Sequence, residues 1–161
     1  MAKKEEKPNV MRVLAQKQIP YTAHTYPADG PTDGVSVANY LHQDVEQVFK
    51  TLVTKATSGI YYVFDIPVAE NLDLKKAAKA VGEKSIAMIP QKELLPLTGY
   101  VHGGCSPVGM KKQFHTVFHE TVILFDTICV SAGKIGAQVE VAPDALIALL
   151  GADTADVVVE A

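Results

Sequence analysis

Short blocks of apolar residues follow one another along the chain in two patterns, one typical of helices and the other of strands. Apolar residues three and four positions apart predict helices over residues 9–17, 37–41, 73–81, 91–95 and 143–150. Alternating or continuous apolar runs predict strands over residues 21–26, 49–55, 60–68, 85–89, 116–118, 127–131, 138–141 and 157–159. Helices and strands therefore alternate irregularly, which indicates an α+β protein.

Polar, glycine and proline residues mark the ends of the predicted helices. Asn9 and Asp73 are the expected N-caps, because a short polar side chain accepts a hydrogen bond from a free N–H of the first turn. Gly82 follows the helix that Asp73 opens and supplies its C-terminal stop. Pro96 is expected to close the helical turn over residues 91–95.

The two central strands, residues 49–55 and 60–68, are separated by the turn signal Ser58-Gly59 and predict a hairpin. The second run is nearly all apolar, so it is expected to lie inside the sheet. We therefore predict one α+β domain over residues 1–161, built on a curled, barrel-like mixed sheet flanked by helices. Residues 1–8 are charged and are expected to form a flexible lead-in.

Composition excludes several classes of protein. Of 161 residues, 48% are hydrophobic and 20% charged, which is too apolar for a disordered chain. The first residues lack the apolar region of a signal peptide, and no apolar run is long enough to cross a membrane, so a cytoplasmic protein with reduced cysteines is expected. The net charge of −3 argues against wholesale coating of nucleic acid, but leaves open the binding of one RNA end.

Lys50 is the first candidate for chemistry. It stands between Phe49 and Thr51 at the start of an apolar strand, and a lysine is costly to bury unless it is paired or functional. In a cleft its ammonium group can hold a phosphate or carbonyl oxygen as a point charge. Taken alone, the pattern fits a solvent-facing lysine on an edge strand better.

Two glycine-containing segments are further candidates. Gly103-Gly104, within an irregular loop over residues 98–109, can present backbone N–H groups to an oxyanion, or can form a tight crossover loop. Ser131 to Gly133 can line the floor of a pocket with a hydroxyl group, although a plain hairpin turn explains the same pattern.

Other reactive side chains carry weaker signals. His115 and His119 are four residues apart but lack a third ligand at a suitable spacing, so no metal site and no cofactor are predicted. Cys105 lies near His102, but nothing in the sequence orients a base, and a small buried apolar residue is the better interpretation. A set of lysines is compatible with phosphate contacts from one side: Lys75, Lys76, Lys79, Lys84, Lys111, Lys112 and Lys134.

Taken together, these segments are more specific than any one of them. Their order resembles the YbaK family, which comprises bacterial Cys-tRNA(Pro) deacylases and relatives of the editing domain of prolyl-tRNA synthetase. The resemblance extends over nearly the whole chain and rests on these segments: His24-Thr25-Tyr26, Val48-Phe49-Lys50-Thr51-Leu52, Pro67-Val68-Ala69, the helix over residues 72–82, Thr98-Gly99-Tyr100-Val101-His102-Gly103-Gly104-Cys105-Ser106-Pro107 and Val130-Ser131-Ala132-Gly133-Lys134.

The resemblance implies a site and a reaction. It implies that Lys50 is the essential lysine of a trans-acting deacylase that removes cysteine from the 3′ end of mischarged tRNA(Pro), with prolyl-tRNA synthetase as a candidate partner and no DNA or membrane. The thiol of the substrate cysteine would then attack the ester. The implied substrate-binding residues are Tyr26, Thr51, Gly103, Gly104, Ser131 and Gly133.

Three positions depart from the family pattern around the pocket. Asp33 lies near the place of a phenylalanine, Ala132 replaces a glycine and Gln138 replaces an aspartate. These changes concern the amino acid recognised more than the reaction. Two alternatives therefore stay open: editing of another small residue such as alanine on tRNA(Pro), and a non-catalytic module that binds tRNA ends or nucleotides.

Overall fold

Five α-helices, two short 3₁₀ helices (Gln91–Glu93 and Glu120–Leu124) and eight strands follow one another along residues 7–160, the part of the chain that the computed structural model describes. The predicted flexible lead-in therefore lies almost wholly outside the described residues. The helices are α1 (Asn9–Gln16), α2 (Gly34–Tyr40), α3 (Leu74–Val81), α4 (Leu94–Thr98) and α5 (Pro143–Leu150). The strands are β1 (Thr22–Thr25), β2 (Phe49–Ala56), β3 (Tyr61–Pro67), β4 (Ile86–Met88), β5 (His115–His119), β6 (Ile128–Ser131), β7 (Ala137–Val141) and β8 (Asp153–Ala155).

The strands form two sheets, one of three strands in the order β1-β7-β6 and one of five in the order β4-β2-β3-β5-β8. The larger sheet is mixed, because β2 and β3 are antiparallel whereas β5 runs parallel to β3. A single parallel bridge between Val48 and Cys129 joins the two sheets. The predicted α+β domain with a mixed sheet is confirmed. Among residues 7–160 the strands are divided between two sheets and form no closed barrel.

The predicted hairpin is confirmed, with β2 paired along its whole length to β3. In its register Thr51 lies opposite Asp65, and Lys50 lies opposite Ile66. Because side chains alternate along a strand, Thr51 and Asp65 share one face and Lys50 and Ile66 share the other. This register places a lysine and a buried carboxyl on opposite sides of the same strand pair.

The main core fills the space between the two sheets. Its buried members come from α1, α5 and both sheets, and include Leu14, Phe49, Phe118 and Val139. A second cluster around Phe64 packs α3 against the other face of the larger sheet. Both faces of β3 are thus covered by apolar side chains, which explains why its sequence is nearly continuous in apolar residues.

Two predicted helix ends are wrong. Pro8, not Asn9, is the N-cap of α1, and Asn9 Nδ2 instead donates hydrogen bonds to Gly109 O at 3.0 Å and Tyr100 Oη at 3.2 Å. Asn9 therefore connects α1 to the loop over residues 98–109, the glycine-rich loop. Pro96 does not close a turn but lies in the first turn of α4, where the N–H that proline lacks would have no partner within the helix.

The predicted last strand, residues 157–159, is also wrong. The strand forms earlier, at Asp153–Ala155, where it pairs in parallel with β5 at the edge of the larger sheet. Val157 is fully buried in the second cluster, and Val158 makes only an isolated bridge with Leu72. The apolar run is explained by packing rather than by pairing, since an edge strand tolerates polar residues such as Asp153.

The predicted cap of α3 provides a test of the local structure. Asp73 Oδ1 accepts hydrogen bonds from Lys75 N and Lys76 N, both at 3.0 Å. We expect Asp73→Ala to lower the free energy of unfolding by about 1 kcal/mol, because two N–H groups of the first turn lose their partner. Urea denaturation measures the change. Asp29→Ala, in an exposed loop, is the matched control, and an equal loss in both variants would contradict the assignment.

Candidate functional site

A cavity of about 290 Å³ opens where β2 and β6 separate after the Val48–Cys129 bridge. Residues from β2 form one wall, Ser131 at the end of β6 belongs to the other, and the glycine-rich loop and the start of α2 complete it. Its lining residues are Tyr26, Thr32, Asp33, Gly34, Val37, Val48, Phe49, Lys50, Thr51, Leu52, Val68, Leu94, His102, Gly103, Cys105, Ser131 and Gln138.

The structure therefore brings together five of the seven predicted site residues in this cavity: Tyr26, Lys50, Thr51, Gly103 and Ser131. The other two, Gly104 and Gly133, are not among its lining residues. A second hollow of about 260 Å³ lies beside β4 and includes Lys55 and Ser85, but none of the predicted residues. The first cavity is thus the candidate functional site.

Lys50 is half-buried in the wall of the cavity. Removal from water lowers the pKa of its ammonium group, and the carboxylate of Glu70 partly opposes this effect. Among residues 7–160 no carboxylate forms an ion pair with Lys50. A partly desolvated cation without a direct counter-ion is suited to hold an anionic or carbonyl oxygen of a ligand.

Behind the same wall, Thr51 is hydrogen-bonded to the fully buried Asp65. The distance between Thr51 Oγ1 and Asp65 Oδ1 is 2.6 Å, and Asp65 Oδ2 has no hydrogen-bond partner among the described residues. Burial raises the pKa of the Asp65 carboxyl to about 8, with the hydrogen bond from Thr51 opposing the shift. Asp65 is therefore largely uncharged at neutral pH.

Of the two predicted glycines of the glycine-rich loop, Gly103 lines the cavity and Gly104 does not. Gly103 lines the cavity in a backbone conformation with φ of 87°. The N–H of Gly104, however, donates to Val101 O at 3.0 Å inside the loop, so it is not free for a ligand. A Cβ at Gly104 would lie 3.0 Å from the backbone of Lys134 and Ile135. The predicted N–H donor at Gly104 is wrong, and this glycine instead allows two loops to pack together.

Ser131 and Gly133 form a local unit at the end of β6. Ser131 Oγ accepts a hydrogen bond from Gly133 N at 3.1 Å, which leaves the hydroxyl hydrogen of Ser131 available to a ligand. Gly133 has φ of 96°, and a Cβ there would lie 2.9 Å from the ring of Tyr100. Gly133 therefore shapes the turn that presents Ser131, outside the cavity itself.

Two of the three residues that depart from the family pattern border the cavity. Asp33 is the N-cap of α2, and hydrogen bonds from Ser36 lower the pKa of its carboxyl. Gln138 lies in the opposite wall and accepts a hydrogen bond from Gln43 Nε2 at 2.9 Å. Ala132 is fully buried and does not line the cavity. One charged and one neutral polar side chain therefore border the space for the ligand.

Cys105 lines the cavity but is a poor candidate for a nucleophile. Burial raises the pKa of its thiol to about 12, and the nearby Asp65 contributes to this effect. The reactive form of cysteine is the thiolate, which is nearly absent at neutral pH under these conditions. Cys105 is half-buried and packs against the main core, so its side chain serves as a small apolar residue, although it is less buried than the sequence-based interpretation expected.

The side chains that are candidates for metal binding already have partners. His115 Nε2 lies 2.6 Å from Asp153 Oδ2, while His119 Nδ1 accepts from Val157 N at 3.3 Å. His24, Cys129 and Glu140 lie close together, but His24 and Thr127 each occupy one oxygen of the Glu140 carboxylate.

The predicted phosphate-binding lysines differ in their surroundings. Lys76 pairs with Asp156 at 3.0 Å and donates to Val158 O at 2.9 Å, so it supports the C-terminal segment. Lys134 is exposed in the turn after β6, and Lys111 packs against Gly99. Phosphate contact by the remaining lysines stays a prediction.

Comparison with known proteins identifies the family of this chain. The family model of the aminoacyl-tRNA editing domain matches residues 32–149, which include β2, the glycine-rich loop and β6. The chain belongs to this family. The sequence-based assignment to the YbaK and prolyl-tRNA synthetase editing group is thereby confirmed.

Individual relatives extend the comparison. A protein from Enterococcus faecalis (strain ATCC 700802 / V583), named EbsC as a candidate Cys-tRNA(Pro)/Cys-tRNA(Cys) deacylase, is 42% identical over 160 residues, or 98% of either chain. The chain is also similar to a crystal structure of a candidate trans-editing enzyme for prolyl-tRNA synthetase. The TM-score is 0.83 at 25% identity, and the match covers 97% of the present chain and 100% of the other. The hypothetical protein APE2540 shares the fold, with a TM-score of 0.86 at 21% identity over 94% and 99% of the two chains.

None of the helices in residues 7–160 has the length and apolar character needed to cross a membrane.

Sequence reasoning missed Asp65 as a feature of the site. An acidic residue inside the otherwise apolar run Tyr61–Ile66 was the available signal, because a carboxyl in a buried strand requires an explanation.

The buried carboxyl predicts a pH-dependent contribution to stability. Its pKa is raised on folding, so the folded state loses stability as pH rises from about 4 to about 8, by an amount on the order of 5 kcal/mol. We expect Asp65→Asn to have a lower free energy of unfolding than wild type at pH 4, and we expect this difference to shrink as pH rises. Urea denaturation across this range measures the difference.

Asp126→Asn, at an exposed position, is the matched control and should follow the wild-type curve. A difference between Asp65→Asn and wild type that stays constant from pH 4 to pH 8 would show that Asp65 has an ordinary pKa in the folded protein.

Proposed function

We propose that this protein is a trans-acting aminoacyl-tRNA deacylase that removes cysteine from mischarged tRNA(Pro). The observation that carries the proposal is the position of Lys50, a partly desolvated cation without an ion-pair partner among the described residues, in the cavity between β2 and β6. The volume of about 290 Å³ is at the small end of ligand sites, which suits an aminoacyl ester rather than a whole nucleotide.

In this proposal the cavity residues position the ester without supplying a nucleophile. Lys50 anchors an oxygen at the junction of the amino acid and the terminal ribose, and Thr51 assists it. Gly103 and Tyr26 border the aminoacyl group, and the hydroxyl hydrogen of Ser131 is available to one of its polar atoms. Fixed orientation and electrostatic support then supply the rate enhancement.

The thiol of the substrate cysteine is the proposed nucleophile. Its sulfur forms a bond with the ester carbonyl carbon, the bond from that carbon to the ribose oxygen breaks, and the thiol proton passes to the departing oxygen. The products are tRNA with a free terminal hydroxyl and a cyclic thioester of cysteine, which water hydrolyses. This route fits the environment of Cys105, whose thiol stays protonated at neutral pH.

Recognition of tRNA is proposed to depend on a partner. The net charge of −3 provides little general attraction for nucleic acid, and the name of one structural relative links it to prolyl-tRNA synthetase. We propose that residues 1–161 act as one domain on the 3′ end of the tRNA in the cytoplasm, with that synthetase contributing affinity for the rest of the molecule.

The role of Lys50 is tested by substitution. We expect Lys50→Ala to lower the rate of Cys-tRNA(Pro) deacylation by roughly a hundredfold or more, because the cation that holds the ester is lost. Release of cysteine from labelled Cys-tRNA(Pro) is the measurement. Lys55→Ala, an exposed position on the same strand, is the matched control and should leave the rate unchanged. Wild-type activity in Lys50→Ala would falsify the assignment.

The source of the nucleophile is tested on enzyme and substrate separately. We expect Cys105→Ser to retain most of the activity on Cys-tRNA(Pro), because its buried thiol is not the attacking group. Ser-tRNA(Pro) and Ala-tRNA(Pro) should be deacylated much more slowly than Cys-tRNA(Pro), since they lack a thiol. Loss of activity in Cys105→Ser, or equal rates on alanine and cysteine, would favour a protein nucleophile or attack by water.

A further inference from the structure

The proposed reaction leaves Asp65 without a role, although it lies directly behind Thr51 in the cavity wall. Asp65 has no exposed surface, shares a face of the β2–β3 pair with Thr51, and has one oxygen without a hydrogen-bond partner among residues 7–160. An acidic side chain in such a place is costly, and an apolar residue would fill the same strand position at lower cost.

The geometry of the Asp65–Thr51 pair indicates which of the two groups donates the hydrogen between them. A carboxylate only accepts hydrogen bonds and would leave charge on the unpartnered Oδ2, whereas a neutral acid needs one good hydrogen bond and can donate it. Asp65 Oδ1 and Thr51 Oγ1 are 2.6 Å apart, a distance that fits a hydrogen bond in either direction, so it is the unpartnered Oδ2 of a fully buried carboxyl that favours the neutral acid. Either oxygen of a carboxyl can carry the proton, and Oδ1 is the one that faces Thr51.

We propose that Asp65 is a positioning residue that acts through Thr51: its neutral carboxyl donates to Thr51 Oγ1 and thereby directs the hydroxyl hydrogen of Thr51 toward an ester oxygen in the cavity. This inference rests on the deacylase function proposed above. An ionised Asp65 accepts the hydrogen of Thr51 instead, and Thr51 then offers only lone pairs to the ester. Negative charge develops on the ester oxygen during attack, so a donor at this position speeds the reaction and an acceptor slows it.

The groups around Asp65 do not provide a positive counter-charge. Across the core, Asp65 acts on the titratable thiol of Cys105 from the glycine-rich loop, and that thiol is neutral below about pH 12. Lys50 is adjacent to Thr51 but projects from the opposite face of β2. On β5 the register partner of Asp65 is Phe118, and the neighbouring His119 accepts a hydrogen bond from a backbone N–H on the other face.

A double-mutant cycle tests whether Asp65 acts through Thr51. Asp65→Leu removes the donor and should lower kcat for Cys-tRNA(Pro) roughly tenfold with little change in KM, because Thr51 remains but is free to rotate. In a Thr51→Val background, which has no hydroxyl to direct, Asp65→Leu should change kcat by less than about twofold. Circular dichroism and thermal unfolding verify that each variant is folded.

The pH profile supplies a readout that a structural role would not produce. After subtraction of spontaneous ester hydrolysis, wild-type kcat should fall above about pH 8 as Asp65 ionises. Asp65→Asn keeps an amide donor of the same shape, so we expect it to restore most of the wild-type rate at pH 7 and to abolish the alkaline fall. If Asp65→Leu does not fold, the pH profile of Asp65→Asn by itself tests the role of Asp65.

The outcomes separate this inference from the function on which it rests. An equal effect of Asp65→Leu in both backgrounds, or the same alkaline fall in Asp65→Asn and wild type, would overturn the role of Asp65 while the deacylase function stands. Failure of wild-type protein to release cysteine from Cys-tRNA(Pro) at any pH would overturn both, and it is seen before any variant is compared. A non-additive cycle with a flat Asp65→Asn profile would support the inference.

Discussion

The contact between Val48 and Cys129 is the constraint on which the candidate site depends. Among the described residues it is one bridge between two sheets that otherwise do not pair, and the hydrogen bond from Cys129 N to Gln47 O is part of it. Beyond this bridge β2 continues into the larger sheet and β6 into the smaller one, so the space between them is not filled by backbone pairing. The cavity is a consequence of how the two sheets separate, and the bridge fixes the positions of the side chains near it.

The same strand pair creates two desolvated groups of opposite character. Lys50 and Asp65 lie on opposite faces of the β2–β3 hairpin, and removal from water disfavours the charged form of each. Lys50 borders the cavity, where a ligand can stabilise its charge, whereas Asp65 is enclosed and is stabilised by losing its charge. A strand that carries such residues sacrifices stability, which is the usual sign of a functional site in an otherwise apolar core.

Sequence patterns predicted the parts of the fold that depend on local spacing. The hairpin, α3 with Asp73 and Gly82, and α5 with its initial proline all formed where expected, because their signals lie within a few residues. The division into two sheets was not predictable in this way, since it depends on contacts between distant segments. Asn9 illustrates the limit: its residue type suits a cap, but its amide bonds to the loop a hundred residues further on.

The candidate site shows the same division. The resemblance of motifs brought together Lys50, Thr51, Gly103, Ser131 and Tyr26, which the fold gathers around one cavity. It did not distinguish glycines that border the cavity from those that permit close packing, because Gly104 and Gly133 differ from Gly103 only in their tertiary neighbours. Asp65 was overlooked: an acidic residue in an apolar run signals a buried carboxyl, but it does not reveal the contact of that carboxyl with Thr51 across the hairpin.

The location of the aminoacyl group tests the central claim most directly. A crystal structure with a non-hydrolysable analogue, in which cysteine is joined to the terminal adenosine by an amide, would show it. The account predicts that the cysteinyl group lies between β2 and β6, with the amide oxygen within hydrogen-bond distance of Lys50 Nζ. Binding of the cysteinyl group in the hollow beside β4, or on the surface away from Lys50, would contradict it.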